Sequence, residues 1–415
     1  MTGDLRSVER HLAEILAALQ PLAGESVPVG GARGRTLAAP LRAAVDIPVF
    51  DNSAMDGFAV RLEDVAIARP DAPVRLRVVA DLPAGTDLDP PLRPGEAARI
   101  MTGAPIPSAA DAIVPFEETE GGLADSLDVV AVTHAPRRAG VHIRRRAEDA
   151  AIGDELLPKG TLVGALQAAA AAAAGVTHVS VAQTPRVAIV STGSELVAAG
   201  GALQRGQIPE SNSELLMGLA LEAGAGVVLR RSVPDDPHAL REAIAHADDV
   251  GADVVVFSGG VSAGAYEVVK GTLGPAGEMG FFRVAMQPGK PQGFGHVPGG
   301  ALLFGLPGNP VSAAVSFEVF VRPALLALQG RADIQRPVLR LPAAAAWRTP
   351  PGRRQYLPVA LDRTDPSAWT VRPATSGGSG SHLAGGLGRA EAYAVVAAEV
   401  EAVEVGDLVD VMLIS

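Results

Sequence analysis

Leu5, Val8, Leu12, Ile15, Leu16 and Leu19 recur at the spacing of one helix face, so the pattern predicts an amphipathic opening helix that Pro21 and Gly24 bring to a stop. From about residue 61 to 139 the apolar runs shorten. Stretches such as Val74-Arg75-Leu76-Arg77-Val78-Val79 and Ala112-Ile113-Val114 stand between Pro and Gly, which predicts a small β-rich region. Residues 141–174 then carry a basic run, Arg144-Arg145-Arg146, and an alanine-rich helix centred on 168–174.

Pro185 opens a third regime. Val187-Ala188-Ile189-Val190 is a continuous apolar run, the pattern of a strand buried on both faces. A helix is predicted over 211–223, with Ser211 or Asn212 as N-cap and Gly224 as the stop. After a second strand at 227–230, Asp235 or Asp236 caps the next helix, with Pro237 at its first position. Strands are further expected at 254–257, 281–285 and 301–304, and a last helix over 309–328. Strands alternating with helices predict an open, mostly parallel α/β sheet with right-handed crossovers. Beyond Gly330 short strands return and end at 409–414, which marks a second β domain.

Composition narrows the function classes. The chain has 415 residues, room for about three domains. It contains no cysteine, which removes disulfides, thiolate metal sites and cysteine nucleophiles and fits a reducing compartment. A net charge of −11 argues against a broad nucleic-acid face but leaves room for a local basic pocket that takes a small anion. Residues 1–10 lack the apolar stretch of an export signal. Residues 160–185 carry no Asp, Glu, Lys or Arg, but their centre is alanine, only weakly apolar, so they read as a packing helix and a strand. A cytoplasmic protein that spans no membrane is expected.

In open α/β sheets ligands bind beyond the carboxyl ends of the strands. Here the strands run into loops of one kind: Ser191-Thr192-Gly193-Ser194-Glu195, Ser258-Gly259-Gly260-Val261-Ser262, Gln287-Pro288-Gly289-Lys290-Pro291 and Leu306-Pro307-Gly308-Asn309-Pro310. Glycine lets backbone N–H groups approach an anion closely, and the hydroxyls, Lys290 and the helix start near Asn309 add donors. A pocket for phosphate or another oxyanion is the chemistry this pattern predicts. Glu195, Asp235, Asp236 and Glu267 punctuate the same edge, and Mg²⁺ takes one or two carboxylates together with water and substrate phosphate. Against this, one of Asp235 and Asp236 is needed as a helix cap, and Glu267 alone is equally read as a solvated helix face.

Other motifs are absent or weak. Neither G-x-G-x-x-G nor G-x-x-x-x-G-K-[ST] occurs, and the eight histidines show no metal-ligand spacing. Gly260-Val261-Ser262-Ala263-Gly264 matches the nucleophile-elbow pattern of serine hydrolases, but only His296 and His382 follow it and neither has a distinctive setting. Asp51-Asn52-Ser53-Ala54-Met55-Asp56-Gly57 is a dense polar turn, and Arg99-Ile100-Met101-Thr102-Gly103-Ala104 follows a strand-like stretch. Arg144–Arg146 with Glu148 and Asp149 reads as a salt-bridged surface.

Taken in order, Asp51–Gly57, Ile100–Pro105, Ser191–Leu196, Ser258–Gly264, Pro288–Pro291 and Leu306–Ser312 resemble the molybdopterin molybdenumtransferase family, MoeA and the gephyrin E domain. The resemblance implies a homodimer of four-part subunits: a helical linker region (1–56 and 141–176), an inserted β-rich domain (57–140), a molybdopterin-binding α/β domain (177–329) and a C-terminal β-barrel (330–415). It also implies Mg²⁺-dependent insertion of molybdenum from molybdate into adenylated molybdopterin, with release of AMP, in a cleft between one α/β domain and the other subunit's inserted domain. A pterin dithiolene holds the metal in that chemistry, so no cysteine is required.

Carried over residue by residue, the resemblance gives Asp56, Thr102, Glu195 and Asp235 catalytic roles and assigns Glu195, Asp235 and Glu267 to Mg²⁺ and phosphate. Substrate-binding positions by the same resemblance are Asp149, Thr192, Gly193, Ser258, Gly259, Gly260, Ser262, Arg283, Lys290, Pro307, Gly308 and Asn309. The sequence departs from the family where Glu267 replaces the common Asp, Ala265 replaces an acid, and Gln287 replaces a frequent Lys. The upstream adenylyltransferase and downstream molybdoenzymes are implied partners; nucleic acid and membrane are not. Two alternatives stay open: an adenylyltransferase acting on molybdopterin, which would not need the extra domains, and a non-catalytic scaffold, against which the intact acids and the 4% aromatic content speak.

Overall fold

Val187, Ile189, Val254 and Val256 are buried toward one layer, while Ala188, Val190, Val255 and Phe257 are buried toward another. Strands apolar on both faces must be covered on both faces, and a central strand pair results. In the computed structural model, which describes residues 5–123, 127–261, 267–297, 300–375 and 384–414, these runs form the middle of a six-stranded sheet. Its order is Gly226–Val233, Arg186–Thr192, Val254–Ser258, Leu302–Leu306, Pro291–His296 and Met279–Arg283. The first four are parallel. The last two are antiparallel additions, so the strand expected at 281–285 is an edge strand of a hairpin.

Its hairpin partner, Pro291–His296, is not legible as a strand. It starts with Pro and contains Gly293 and Gly295, signals of a loop. The glycines are there because the neighbours are close: a Cβ on Gly295 would stand 2.7 Å from Met279 Cα, and one on Gly293 2.9 Å from Met279 Sδ. Two antiparallel steps restore the chain direction. The carboxyl end of Met279–Arg283 therefore lies on the same edge as those of the parallel strands.

Helices cover the sheet. Val8–Ala17 is capped by Ser7, whose Oγ accepts from Arg10 N–H at 3.1 Å, and it buries Val8, His11 and Ile15 on one face. Asp236 caps Pro237–Asp249, accepting from Ala239 N–H at 2.8 Å, which leaves Asp235 for other contacts. Asn212–Glu222 departs from expectation: neither Ser211 nor Asn212 caps it, and Glu210 accepts from Ser213 N–H instead. The last helix, Pro310–Ser316, continues through a π segment, Phe317–Val321, into Arg322–Leu328. Among the described residues it alone is long and apolar enough to cross a membrane, and 89% of that window is buried inside the protein, as expected of a core helix.

Three further units surround this domain. Gly24–Pro28 pairs with His178–Ala182 beside the alanine helix Ala165–Ala173. A mixed five-stranded sheet holds Gly57–Val60, Val74–Leu82, Glu96–Ile100, Ala112–Pro115 and Val129–Val132, with an apolar cluster on each face. Past residue 330, Thr370–Pro373, Arg354–Asp362, Ala392–Val396, Leu408–Leu413 and Val338–Pro342 pair in that order. The Ala343–Val371 bridge then joins the last strand to the first and closes a small barrel. Parallel pairing of Met286–Gln287 with Arg354–Gln355 fastens the barrel to the α/β domain.

Candidate active site at the sheet edge

The carboxyl edge of the parallel strands opens into a cavity of about 530 Å³. All four glycine-rich loops reach it: Thr192, Gly193 and Glu195 from the first, Ser258, Gly259 and Gly260 from the second, Lys290 from the third, and Pro307, Gly308 and Asn309 from the fourth. Asp235 and Glu267 line it as well. Gly260 shows why the loop chemistry is fixed. Its φ is +68°, and an added Cβ would lie 2.8 Å from Val269 Cγ2 and 2.9 Å from Thr192 Oγ1.

The second and fourth loops are tied together by Asn212, one of the two residues the pattern offers as a helix cap. Asn212, 8% exposed, donates from Nδ2 to Ser258 Oγ at 2.7 Å and to Gly308 O at 2.6 Å, tying the second loop to the fourth. Its Oδ1 and the Thr192 Oγ1 are buried polar atoms with no hydrogen-bond partner among the described residues. Both residues line the cavity, and an unsatisfied buried polar atom is costly unless a bound group completes it. Asp235 has a reciprocal arrangement with the first loop: Ser194 N–H donates to its Oδ2 at 3.1 Å, and its own N–H donates to Ser194 Oγ at 3.2 Å.

Positive charge comes from two sides. Half-buried Lys290 has its ammonium held below the usual lysine range by desolvation first, then by the Arg283 and Arg353 guanidiniums. Arg353, absent from the sequence reading, enters from the barrel and donates from Nη1 to Gln287 Oε1 at 2.7 Å. No local signal marks Arg353; the pairing of Met286–Gln287 with Arg354–Gln355 brings it beside Gln287, 66 positions away. Arg283 is not part of this cavity and stands with Lys290 on an adjoining one.

Other expected residues lie elsewhere in the subunit. Asp56 and Thr102 meet on the inserted sheet, where Thr102 donates to Asp56 Oδ1 from N–H at 2.7 Å and from Oγ1 at 2.8 Å. These bonds, the backbone one foremost, hold the Asp56 carboxyl below its ordinary range. Asp149 is exposed in the loop where Arg145 pairs with Asp51 and Arg146 with Asp46. Ser262 and Ala265 fall outside the described residues. Glu195, Asp235 and Glu267 share the cavity, but no three His, Asp or Glu side chains converge tightly enough to hold a metal among the described residues.

A sheet-edge cavity with glycine loops, two cations, hydroxyl and amide oxygens without a partner among the described residues and a rim of carboxylates defines an open α/β protein with an oxyanion pocket, set within a larger multidomain chain. Family comparison agrees along the sequence. The MoeA N-terminal region (domain I and II) matches residues 6–175, a probable molybdopterin binding domain matches 188–327, and the MoeA C-terminal region (domain IV) matches 340–414. Molybdopterin molybdenumtransferase 2 of Mycobacterium tuberculosis is 46% identical over 86% of this chain and 88% of its own length. Molybdopterin molybdenumtransferase 1 of the same organism is 34% identical over 99% of both chains. A crystal structure of the molybdopterin biosynthesis MoeA protein of Pyrococcus horikoshii superposes with a TM-score of 0.82 at 31% identity, covering 99% of each chain. The chain belongs to the molybdopterin molybdenumtransferase (MoeA) family of molybdenum-cofactor biosynthesis.

Proposed function

We propose that this enzyme inserts molybdenum from molybdate into adenylated molybdopterin and releases AMP, acting in the cytoplasm as a Mg²⁺-dependent homodimer. The observation that carries the reading is the convergence of Lys290, Arg353 and four glycine-rich loops on one cavity whose buried Thr192 Oγ1 and Asn212 Oδ1 have no hydrogen-bond partner among the described residues. Molybdate and phosphates are oxyanions, and such a site offers them backbone N–H groups, hydroxyls and two cations.

The donor set suits Mg²⁺. Glu195, Asp235 and Glu267 supply hard oxygen ligands, and that ion needs only one or two carboxylates beside water and substrate phosphate. Held by these carboxylates, the ion would supply neutralisation of phosphate charge. Lys290 and Arg353 hold the oxyanion; the first and second loops orient the phosphates; Asn212 keeps the second and fourth loops in register. Asp56 and Thr102 complete the site from the second subunit, which explains why one subunit keeps them apart from the cavity. The upstream adenylyltransferase supplies the substrate and molybdoenzymes receive the product.

The decisive experiment incubates purified protein with adenylated molybdopterin, molybdate and Mg²⁺ and follows AMP release together with metal-loaded cofactor. Molybdate-dependent release of AMP with active cofactor is the expected result. Folded, dimeric protein that releases none overturns the assignment.

A further inference from the structure

Arg348, Arg372 and Arg389 border an open cavity of about 650 Å³ on the C-terminal barrel. They arrive from three separate elements: Trp347–Arg348, Thr370–Pro373 and the turn Ala384–Arg389. Among the described residues no Asp or Glu lines this cavity, and the rest of its wall is small or apolar, with Trp347 and Pro373 among the lining side chains.

Four other arginines of this region are ion-paired. Arg336 is paired with Glu318, Arg340 with Asp410, Arg354 with Glu9 and Arg363 with Glu391. Arg348, Arg372 and Arg389 have neither an ion pair nor a side-chain hydrogen bond among the described residues. The acid that feels Arg372 through space is Asp362, which lies outside the cavity lining and accepts from Thr364 Oγ1 at 2.7 Å. The chain has 46 acidic residues against 35 basic ones, so a shared concavity without a carboxylate stands out against its own composition. Three guanidiniums facing one space repel each other until an anion occupies it, and their fork geometry matches phosphate oxygens.

We propose that this cavity binds a small phosphorylated organic anion, of the size and charge of a nucleoside di- or triphosphate, at a site distinct from the sheet-edge cavity. Its volume falls in the range of small-molecule pockets, roughly 300–1,000 Å³. The charges gather around one concavity instead of spreading along a face, as they would for an acidic protein segment. Strand Arg354–Asp362 runs from beside Arg353 at the first cavity to Ala360 at this one, a separation of roughly 20 Å at about 3.3 Å per residue. The two sites are therefore distinct, although one strand links them.

Calorimetric titration of the full-length protein with ATP, and separately with inorganic pyrophosphate, tests this. The proteins compared are wild type, Lys290→Gln, which impairs the sheet-edge cavity, and the triple variant Arg348→Gln/Arg372→Gln/Arg389→Gln. Saturable, salt-sensitive ATP binding that persists in Lys290→Gln and weakens about tenfold or more in the triple variant is the expected result. Pyrophosphate binding in the same pattern shows that the phosphate chain suffices; ATP binding alone shows that the cavity wall also reads the organic part. Molybdate-dependent AMP release by the triple variant stays at the wild-type rate, so this proposal and the insertion reading fail separately. Should the triple variant not fold, each single substitution weakens ATP about threefold and Arg372→Lys restores part of the loss. No saturable ATP binding in Lys290→Gln below about 1 mM, equal affinity in the arginine variants, or uptake of a short poly-glutamate peptide in place of ATP overturns the proposal.

Discussion

Asp56 and Thr102 stand 46 positions apart in the chain, and Thr102 donates twice to the same Asp56 oxygen, Oδ1. Both bonds fall on one oxygen, so they orient the carboxyl from one side. Both bonds favour the charged carboxyl and hold its pKa below the ordinary aspartate range. Thr102→Val removes the side-chain bond and keeps the backbone one. NMR titration should show the Asp56 pKa rising part of the way back, whereas Asp56→Asn should lower AMP release about 100-fold or more.

Lys290 tests the cationic side of the cavity. Its pKa is lowered from the usual lysine value by desolvation and by neighbouring arginines, so it loses its proton at lower pH than a free lysine. Oxyanion affinity is full below that lowered pKa and declines as pH rises through it. The pH profile of the molybdate KM should carry this alkaline limb, and Lys290→Gln should abolish it while weakening molybdate about tenfold or more.

His11 makes a stability prediction. The ring is 2% exposed, packed 4.8 Å from Phe320 and 5.3 Å from Phe282, and its Nδ1 has no hydrogen-bond partner among the described residues. Burial first and the Arg6 charge second lower its pKa from 6.5 to about 4, with Glu14 opposing. The unfolded chain takes up a proton below pH 6.5 that the folded chain refuses. Stability is therefore full above 6.5 and is lost as pH falls toward 4, by at most about 3 kcal/mol. Thermal unfolding should show His11→Phe losing less stability between pH 7.5 and 4.5 than wild type.

Gly260→Ala should be costly despite adding one methyl. The position has φ +68°, and the new Cβ meets Val269 and Thr192 inside 3 Å. Denaturant unfolding should register a loss of about 1–3 kcal/mol, and KM for the adenylated substrate should rise because the Thr192 hydroxyl is displaced.

How much of this was legible follows from where the information resides. Arg186–Thr192 and Val254–Ser258 are written locally, since a strand buried on both faces must be a run of apolar residues. The loops of the cavity were legible for a similar reason: glycine is required wherever a backbone must come close to an anion. Pro291–His296 was hidden because Gly293 and Gly295 answer to Met279 across the sheet, not to their own neighbours. His11 was hidden because a neutral, ring-packed histidine serves as an aromatic core residue while carrying a polar name. Local pattern narrowed Asp235 and Asp236 to one cap and one free acid without saying which; Ala239 N–H decides it for Asp236. Arg353 has no local mark at all.

Arg353 and the two-residue ladder between Met286–Gln287 and Arg354–Gln355 bear on how the protein can be divided. The pocket has a wall built by the tail of the chain. Removing the barrel would leave an α/β core with a missing pocket wall and an unmated strand end, so the smallest catalytic fragment is longer than the domain that holds the glycine loops. For the same reason, a chimera that exchanges barrels between relatives swaps part of the substrate surface.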